Sequence, residues 1–292
     1  QRQMCIRDRD NITLNIPKGS IYGIIGENGA GKTTLIRHLV GAYQGDTGFV
    51  ELEGMRIYEN PEAKAKLVYI PDEFFDTFGH NIRDIKELYQ GIYPSFNEAR
   101  YLRLMKMFKH DSLENFSKFS KGMKKQVMFI LALAIMPEYL IMDEPFDGLD
   151  PHIRKVIWDI LIQDVSERNM TIFISSHHLN ELDSMCDHIA LINNGKIVFE
   201  EALDHLKEGY HKLQIVLECG DDMYALEKEL KVLSHQMMGR VHTLIVAGEI
   251  EAINRTVEKY CPLINETLSL SLEEIFLFTL GGEYDELKEV MG

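Results

Sequence analysis

A chain of 292 residues with 46 acidic against 31 basic side chains carries a formal charge of −15. That balance disfavours nonspecific nucleic-acid binding and adhesion to an anionic membrane surface, so any membrane link must run through a protein partner. The length permits one large domain or a core with an appendage, and the four cysteines, Cys5, Cys186, Cys219 and Cys261, lack C-x-x-C spacing; this argues against a zinc site or a disulfide framework and fits a reducing compartment.

Residue 1 is Gln1 rather than methionine, and residues 1–10 show neither period nor cap; they read as an irregular, artefactual, adaptor-derived segment outside the fold. No signal peptide precedes the first strand, so a cytoplasmic location is expected. Residues 11–16 alternate as a half-buried strand does, Pro17-Lys18-Gly19 turns, and Ile21–Ile25 is a buried apolar strand. Next comes Gly26-Glu27-Asn28-Gly29-Ala30-Gly31-Lys32-Thr33-Thr34, which fits G-x-x-x-x-G-K-[ST]. Gly26, Gly29 and Gly31 can take positive φ without a Cβ penalty, so that successive N–H groups can turn inward around a polyphosphate. Lys32 adds a mobile charge for the outer phosphates, Thr33 a hydroxyl suited to Mg²⁺, and the helix opening here aims its N-terminal N–H groups at the same anion.

Residues 48–54 and 67–71 read as further strands, and residues 81–117 turn helical, with Tyr101, Leu102, Leu104, Met105 and Phe108 on one core-facing stripe. The longest apolar run, 127–136, is about half the roughly twenty residues needed to cross a bilayer and reads as a buried helix. A strand over 139–142 ends at Asp143-Glu144, Asp150 caps a helix that starts with Pro151, and a strand over 171–174 ends at Ser175-Ser176-His177. A helix over 179–186, a strand over 189–192 and an Asn194-Gly195 hairpin into 197–199 complete an α/β pattern. Beyond about His205 the pattern predicts a small βαββα unit and a final helix over 272–280, with no catalytic cluster.

Two adjacent carboxylates at the C-terminal end of a strand in a parallel sheet lie where such sheets bind ligands. Asp143 suits Mg²⁺ or its water shell, and Glu144 suits polarisation of an attacking water. His177 ends the neighbouring strand and would approach the same site, although a lone histidine is usually structural. His178 is expected to cap or line a surface.

The segment Phe119-Ser120-Lys121-Gly122-Met123-Lys124-Lys125-Gln126 resembles a divergent LSGGQ signature of ABC ATPases. The phosphate loop, signature, Asp-Glu strand, Gly-Leu-Asp turn and switch histidine follow one another in that family's order over roughly residues 11–200. The resemblance implies a P-loop NTPase (RecA-like) α/β core with an antiparallel β subdomain and a helical subdomain at about 81–136, together spanning 11–204; the residue pattern beyond it adds a small C-terminal α+β domain over 205–292. It implies ATP and Mg²⁺ as cofactors, and two nucleotide-binding chains, a homodimer or heterodimer, meeting head to tail. Each ATP would lie between one chain's phosphate loop and the other's Ser120, Gly122 and Met123, with Glu144 as general base, His177 as switch and Asp150 communicating between sites while also serving as an N-cap.

Some positions depart from the family pattern. The usual glutamine after residues 67–71 is Asp72, whose carboxylate can still touch the Mg²⁺ shell, and Lys121 and Met123 replace the usual glycine and glutamine. The adenine-stacking aromatic normally lies upstream of Asn11, where this chain offers no candidate. The signature core, Ser176-His177-His178-Leu179 and Leu272-Glu273-Glu274-Ile275-Phe276 resemble the ATPase subunits of type-2 ABC exporters of the bacitracin group. That resemblance implies an integral-membrane partner subunit, peripheral attachment at the inner face of the cell membrane, and a coupling helix received near Phe74, Phe75 and Phe78, aromatics that could equally pack inside. The alternative is a soluble ABC ATPase acting on the ribosome or on DNA; the single cassette and acidic balance weigh against it, and no nucleic-acid partner is expected.

Overall fold

The computed structural model describes residues 3–8, 12–45, 47–73, 81–111, 113, 115–218 and 222–279. The chain divides into two compact units, 1–177 with 188–200, and 178–187 with 201–292.

In chain order the first unit runs β1 (Gln3–Asp8), β2 (Ile12–Pro17), β3 (Ile21–Ile25), α1 (Lys32–Leu39), β4 (Phe49–Leu52), β5 (Met55–Arg56), α2 (Pro61–Ala65) and β6 (Leu67–Ile70). It continues with α3 (Ile82–Ile92), α4 (Glu98–Phe108), α5 (Lys121–Ala134), β7 (Tyr139–Asp143), α6 (Pro151–Arg168) and β8 (Thr171–Ser176). After the short α7 (Leu179–Leu182), which belongs to the second unit, β9 (His188–Asn193) and β10 (Lys196–Ala202) close it.

Six strands form the central sheet in the order β10-β9-β3-β8-β7-β6. The β9-β3-β8-β7-β6 ladders are parallel, and β3, β7 and β8 are buried along their whole length, as the apolar runs require of strands covered on both faces. A second, antiparallel sheet runs β2-β1-β4-β5, and Leu14, Ile16, Tyr22, Ile24, Ile36 and Leu39 pack into one core with it. Several helices start where short polar side chains satisfy their free N–H groups, whereas α1 opens at Gly31 with no side-chain cap. Asn81 and Asp84 form a capping box on α3, Asn97 caps α4, and Asp150 caps α6 ahead of Pro151. Asn194 and Gly195, with φ of 48° and 76°, supply the left-handed pair of a tight hairpin turn between β9 and β10.

The second unit holds α7, α8 (Leu203–Glu208), β11 (Tyr210–Val216), α9 (Asp222–Glu229), β12 (Lys231–Met238), β13 (Val241–Ala247), α10 (Ile250–Glu258), β14 (Ile264–Leu268) and α11 (Leu272–Thr279). Its antiparallel sheet has the order β12-β13-β11-β14, the split-βαβ topology, around Leu213, Ile215, Leu226, Leu244, Val246 and Val257.

Several expectations are corrected. Gln3–Asp8, expected to be irregular, is a strand, because its backbone completes the ladder between β2 and β4. The βαββα reading lacked β14, whose strand pairs with β11. The helix expected over 179–186 stops at Leu182 and gives way to turns. The boundary expected between 204 and 205 also moves: residues 178–187 group with the later segment, where Asp183 Oδ2 accepts from the Leu272 amide at 3.3 Å and Asp183 Oδ1 lies 2.8 Å from Lys207 Nζ. Phe74, Phe75, Phe78, Cys219 and Leu280 lie outside the described residues.

Candidate active site

Parallel pairing places four chain segments at one edge of the central sheet. The register sets Ile25 beside Ser176 and Asp143 beside Ser175, so the glycine-rich loop after β3, Asp143-Glu144 at the end of β7 and Ser175-Ser176-His177 at the end of β8 are neighbours. Asp72 follows β6 at the same edge. Strand C-termini of an open parallel sheet form the crevice where ligands bind. Here the crevice is lined by Glu27, Asn28, Gly29, Gly31, Lys32, Thr33, Thr34, Asp72 and Glu144.

Gly29 and Gly31 take φ of 91° and 112°, as the motif predicts. Gly26 does not; its side of the loop presses on β9, where a Cβ would meet the Ile192 carbonyl oxygen at 2.5 Å. Close backbone approach, rather than a left-handed turn, excludes a side chain at residue 26. Ala30 is buried, and its carbonyl accepts from the Gly195 amide at 2.9 Å, tying the loop to the β9–β10 turn. Lys32 is 5 % exposed, and its ammonium donates to the Gly26 carbonyl and, at 3.1 Å, to that of Glu27. It also stands 3.0 Å from Glu144 Oε1.

Asp143 uses both carboxylate oxygens: Oδ2 accepts from Thr33 Oγ1 at 2.7 Å and Oδ1 from Ser175 Oγ at 2.6 Å. Its field, after burial, raises the nearby Tyr69 phenol, which is pushed up to about 12. Glu144 has a φ of 43°, a left-handed backbone uncommon for a residue with a side chain. Its amide donates to Ser175 Oγ at 3.0 Å, and Oε2 lies 2.9 Å from His177 Nδ1. The Ser175 hydroxyl therefore links both carboxylate residues. The sequence marked Ser175 only as a strand end; its register opposite Asp143 is the signal that could have promoted it.

Asp72 lines the crevice, and its Oδ1 is 3.2 Å from both Lys121 Nζ and Lys125 Nζ. Burial pushes this carboxyl up, but the two ammonium groups outweigh it and hold it below the usual carboxylate range. Burial in turn holds Lys125 below the usual lysine range, against the pull of Asp72. Lys125 was not singled out in the sequence, because in Lys121-Gly122-Met123-Lys124-Lys125 it looks like one more solvated lysine.

The remaining candidates lie apart from that lining. Ser120 caps α5, with Oγ accepting from the Met123 amide at 3.3 Å. Gly122 leaves no room for a side chain, since a Cβ would meet the Gly148 carbonyl at 2.5 Å. Gly148 (φ 77°) belongs to the turn that leads to Asp150, whose Oδ1 accepts from the His152 and Ile153 amides at 3.1 and 3.0 Å. Among the described residues, Ser120, Gly122, Met123 and Asp150 do not line the crevice that holds Lys32 and Glu144. His178 is exposed.

A glycine-rich loop on a parallel sheet edge, with a lysine and a hydroxyl facing a strand-end Asp-Glu pair, defines a phosphate-loop nucleotide-binding protein. Residues 9–147 match the family model for the ABC transporter. The bacitracin transport ATP-binding protein BcrA of Bacillus licheniformis is 30 % identical over 293 residues, covering 94 % of this chain and 92 % of that protein. The ABC transporter ATP-binding protein YtrB of Bacillus subtilis (strain 168) is 28 % identical over 275 residues, covering 94 % of this chain and 93 % of that protein. A solved ATP-binding subunit of an ABC transporter aligns at 26 % identity with a TM-score of 0.63, covering 70 % of this chain and 92 % of that one. The chain belongs to the ABC transporter ATP-binding proteins, the ATP-binding and ATP-hydrolysing subunits of these transporters. Among the described residues no helix is long and apolar enough to cross a membrane.

Proposed function

We propose that this subunit powers an exporter, hydrolysing ATP in a site shared between two copies of such a chain and passing the work to a separate integral-membrane subunit. One observation supports the composite site: the crevice is lined by the phosphate loop, Thr33 and Glu144, which bond Asp143 and His177, whereas Ser120, Gly122 and Met123 are not among its lining residues. A second chain's signature would complete the site, its α5 N-terminus presenting the Ser120 hydroxyl and backbone N–H groups to the γ-phosphate. ATP would close the pair, because the terminal phosphate bridges them, and hydrolysis would open it.

Within one site the loop amides of residues 27–34 cradle the phosphates. Lys32 exchanges the Gly26 and Glu27 carbonyls for phosphate oxygens. Thr33 Oγ1 and Asp143 Oδ2 are hard oxygen donors 2.7 Å apart and fit Mg²⁺, with Asp72 touching its water shell. When bound, that ion neutralises charge on the phosphate oxygens. Glu144 accepts the proton of the attacking water, and His177, bonded to Glu144 Oε2, orients that carboxylate and contacts the terminal phosphate. Asp150, with Oδ1 occupied by two helix amides, carries the signal between the two sites. The names of BcrA, a bacitracin transport protein, and of the daunorubicin/doxorubicin resistance ATP-binding protein DrrA of Streptomyces peucetius support drug transport over ribosome or DNA work, as does the acidic net charge. The subunit would then sit peripherally on the inner face of the cell membrane.

The Glu144→Gln variant tests this reading. ATP turnover should fall about 100-fold or more while ATP binding persists, and light scattering should show an ATP-dependent shift from monomer to dimer. Wild-type turnover in the variant would overturn the general-base assignment, and a strictly monomeric result at saturating ATP would overturn the shared site.

A further inference from the structure

Lys125 is 1 % exposed, yet it ends at the active-site edge. Its ammonium donates to the backbone carbonyl of Glu144 and to Asp72 Oδ1, the latter at 3.2 Å. A buried ammonium persists only where acceptors replace its lost water, and here they are one main-chain oxygen and one carboxylate. The carbonyl it holds belongs to a residue with a φ of 43°. A left-handed glutamate outside regular structure has no ladder to fix its peptide plane; the turn bond it receives from the Asp147 amide is long, at 3.5 Å. The direction in which the Glu144 side chain leaves the backbone therefore depends on what grips the peptide planes on either side of its Cα. Ser175 Oγ holds the peptide plane that enters Glu144, through its amide, and Lys125 the plane that leaves it, through its carbonyl.

We infer that Lys125 is a positioning residue for Glu144: from the second turn of α5 it clamps the Glu144 carbonyl and so aims the carboxylate at the reacting water, while Asp72 neutralises the buried charge. The inference rests on the reading of Glu144 as general base. It also makes α5, whose N-terminus carries Ser120 and Gly122, a mechanical support of the same chain's catalytic turn, independent of any second copy.

The test compares Lys125→Met, which keeps the length and apolar stem but has no donor, with Lys125→Gln, which restores a neutral N–H donor. Steady-state ATPase gives kcat and KM, a fluorescent ATP analogue without Mg²⁺ gives Kd, and melting gives Tm. We expect Lys125→Met to lower kcat at least tenfold with KM and analogue Kd within threefold of wild type, and Lys125→Gln to recover most of that loss. A Met variant with wild-type kcat overturns the inference. So does equal loss in both variants, or a loss that follows a fall in Tm, because a purely structural lysine would not distinguish a donor from its absence. Glu144→Gln measured in parallel separates the layers: if it keeps turnover the general-base reading fails, whereas if it loses turnover and Lys125→Met does not, only the positioning role fails.

Discussion

The first unit gathers charge inside itself: Lys32, Lys125 and Asp143 are 5 %, 1 % and 1 % exposed, and all three meet at the C-terminal edge of one sheet. In the second unit the interior around Leu213, Leu244 and Val246 is apolar, and its ion pairs, such as Lys212–Glu274 and Lys259–Glu229, stay at its accessible surface. An apolar core with peripheral pairs is enough to fold a domain. Buried charges are costly; Asp164, 3 % exposed, is held by Arg100 and Arg168 as a structural pair, whereas Lys32, Lys125 and Asp143 converge on one sheet edge, and that convergence marks the place where chemistry rather than stability dictates the residues.

The sharpest way to break this contrast is to remove one of the buried charges. Lys32→Ala is expected to lower ATP turnover by about 100-fold or more, since a preorganised cation aimed at phosphate is lost, and to weaken nucleotide binding in a fluorescence titration. The second unit should retain its own unfolding transition. An intermediate effect comes from the other side: Leu244→Ala, at a fully buried position, should destabilise the second unit by about 2–5 kcal/mol in urea unfolding, with the analogue Kd of the phosphate loop unchanged. A matched change in both quantities would show that the two units do not behave independently. The smallest expected effect concerns Glu53, an ion-paired carboxylate remote from the crevice, 2.7 Å from both Lys18 and Lys66. Hydrogen bonds from those two ammonium groups hold its carboxyl down at about 2, against an ordinary 4.5. Its contribution is present above about pH 4.5 and is lost as the pH falls towards 2. Tm measured against pH should therefore drop on the acid side less steeply in Glu53→Gln than in the wild-type protein, with turnover near neutral pH unaltered.

What could be read from the sequence follows the same division. Ile21–Ile25, the glycine loop and α1 were legible because strand, loop and helix each leave a local signature and all three are contiguous. Asp143 and Glu144 were legible because an apolar strand delivers them, and Asp150 because a cap followed by Pro151 is a local pattern. β14 was missed because its exposure alternates only weakly and most of its residues face water, so no apolar rhythm announces it. Gln3–Asp8 was missed because its order comes from partners on both sides and not from its own pattern. Lys125 was invisible for a related reason: what distinguishes it from Lys121 and Lys124 is depth, and depth is a property of the assembled fold. Gly26 was recognised, but for a conformation it does not adopt; the neighbour that excludes a Cβ, Ile192, lies far along the chain.

The contact between Gly122 and the Gly148 carbonyl has a consequence for tolerance. Most spacings inside a protein are set by side chains, which relax through rotamers when something nearby shifts. Here the start of α5 and the turn before Asp150 meet backbone against backbone, with no flexible atom between them. A shift at the start of α5 is met at once by main-chain atoms of the turn before Asp150, so the signature and that turn are expected to move together.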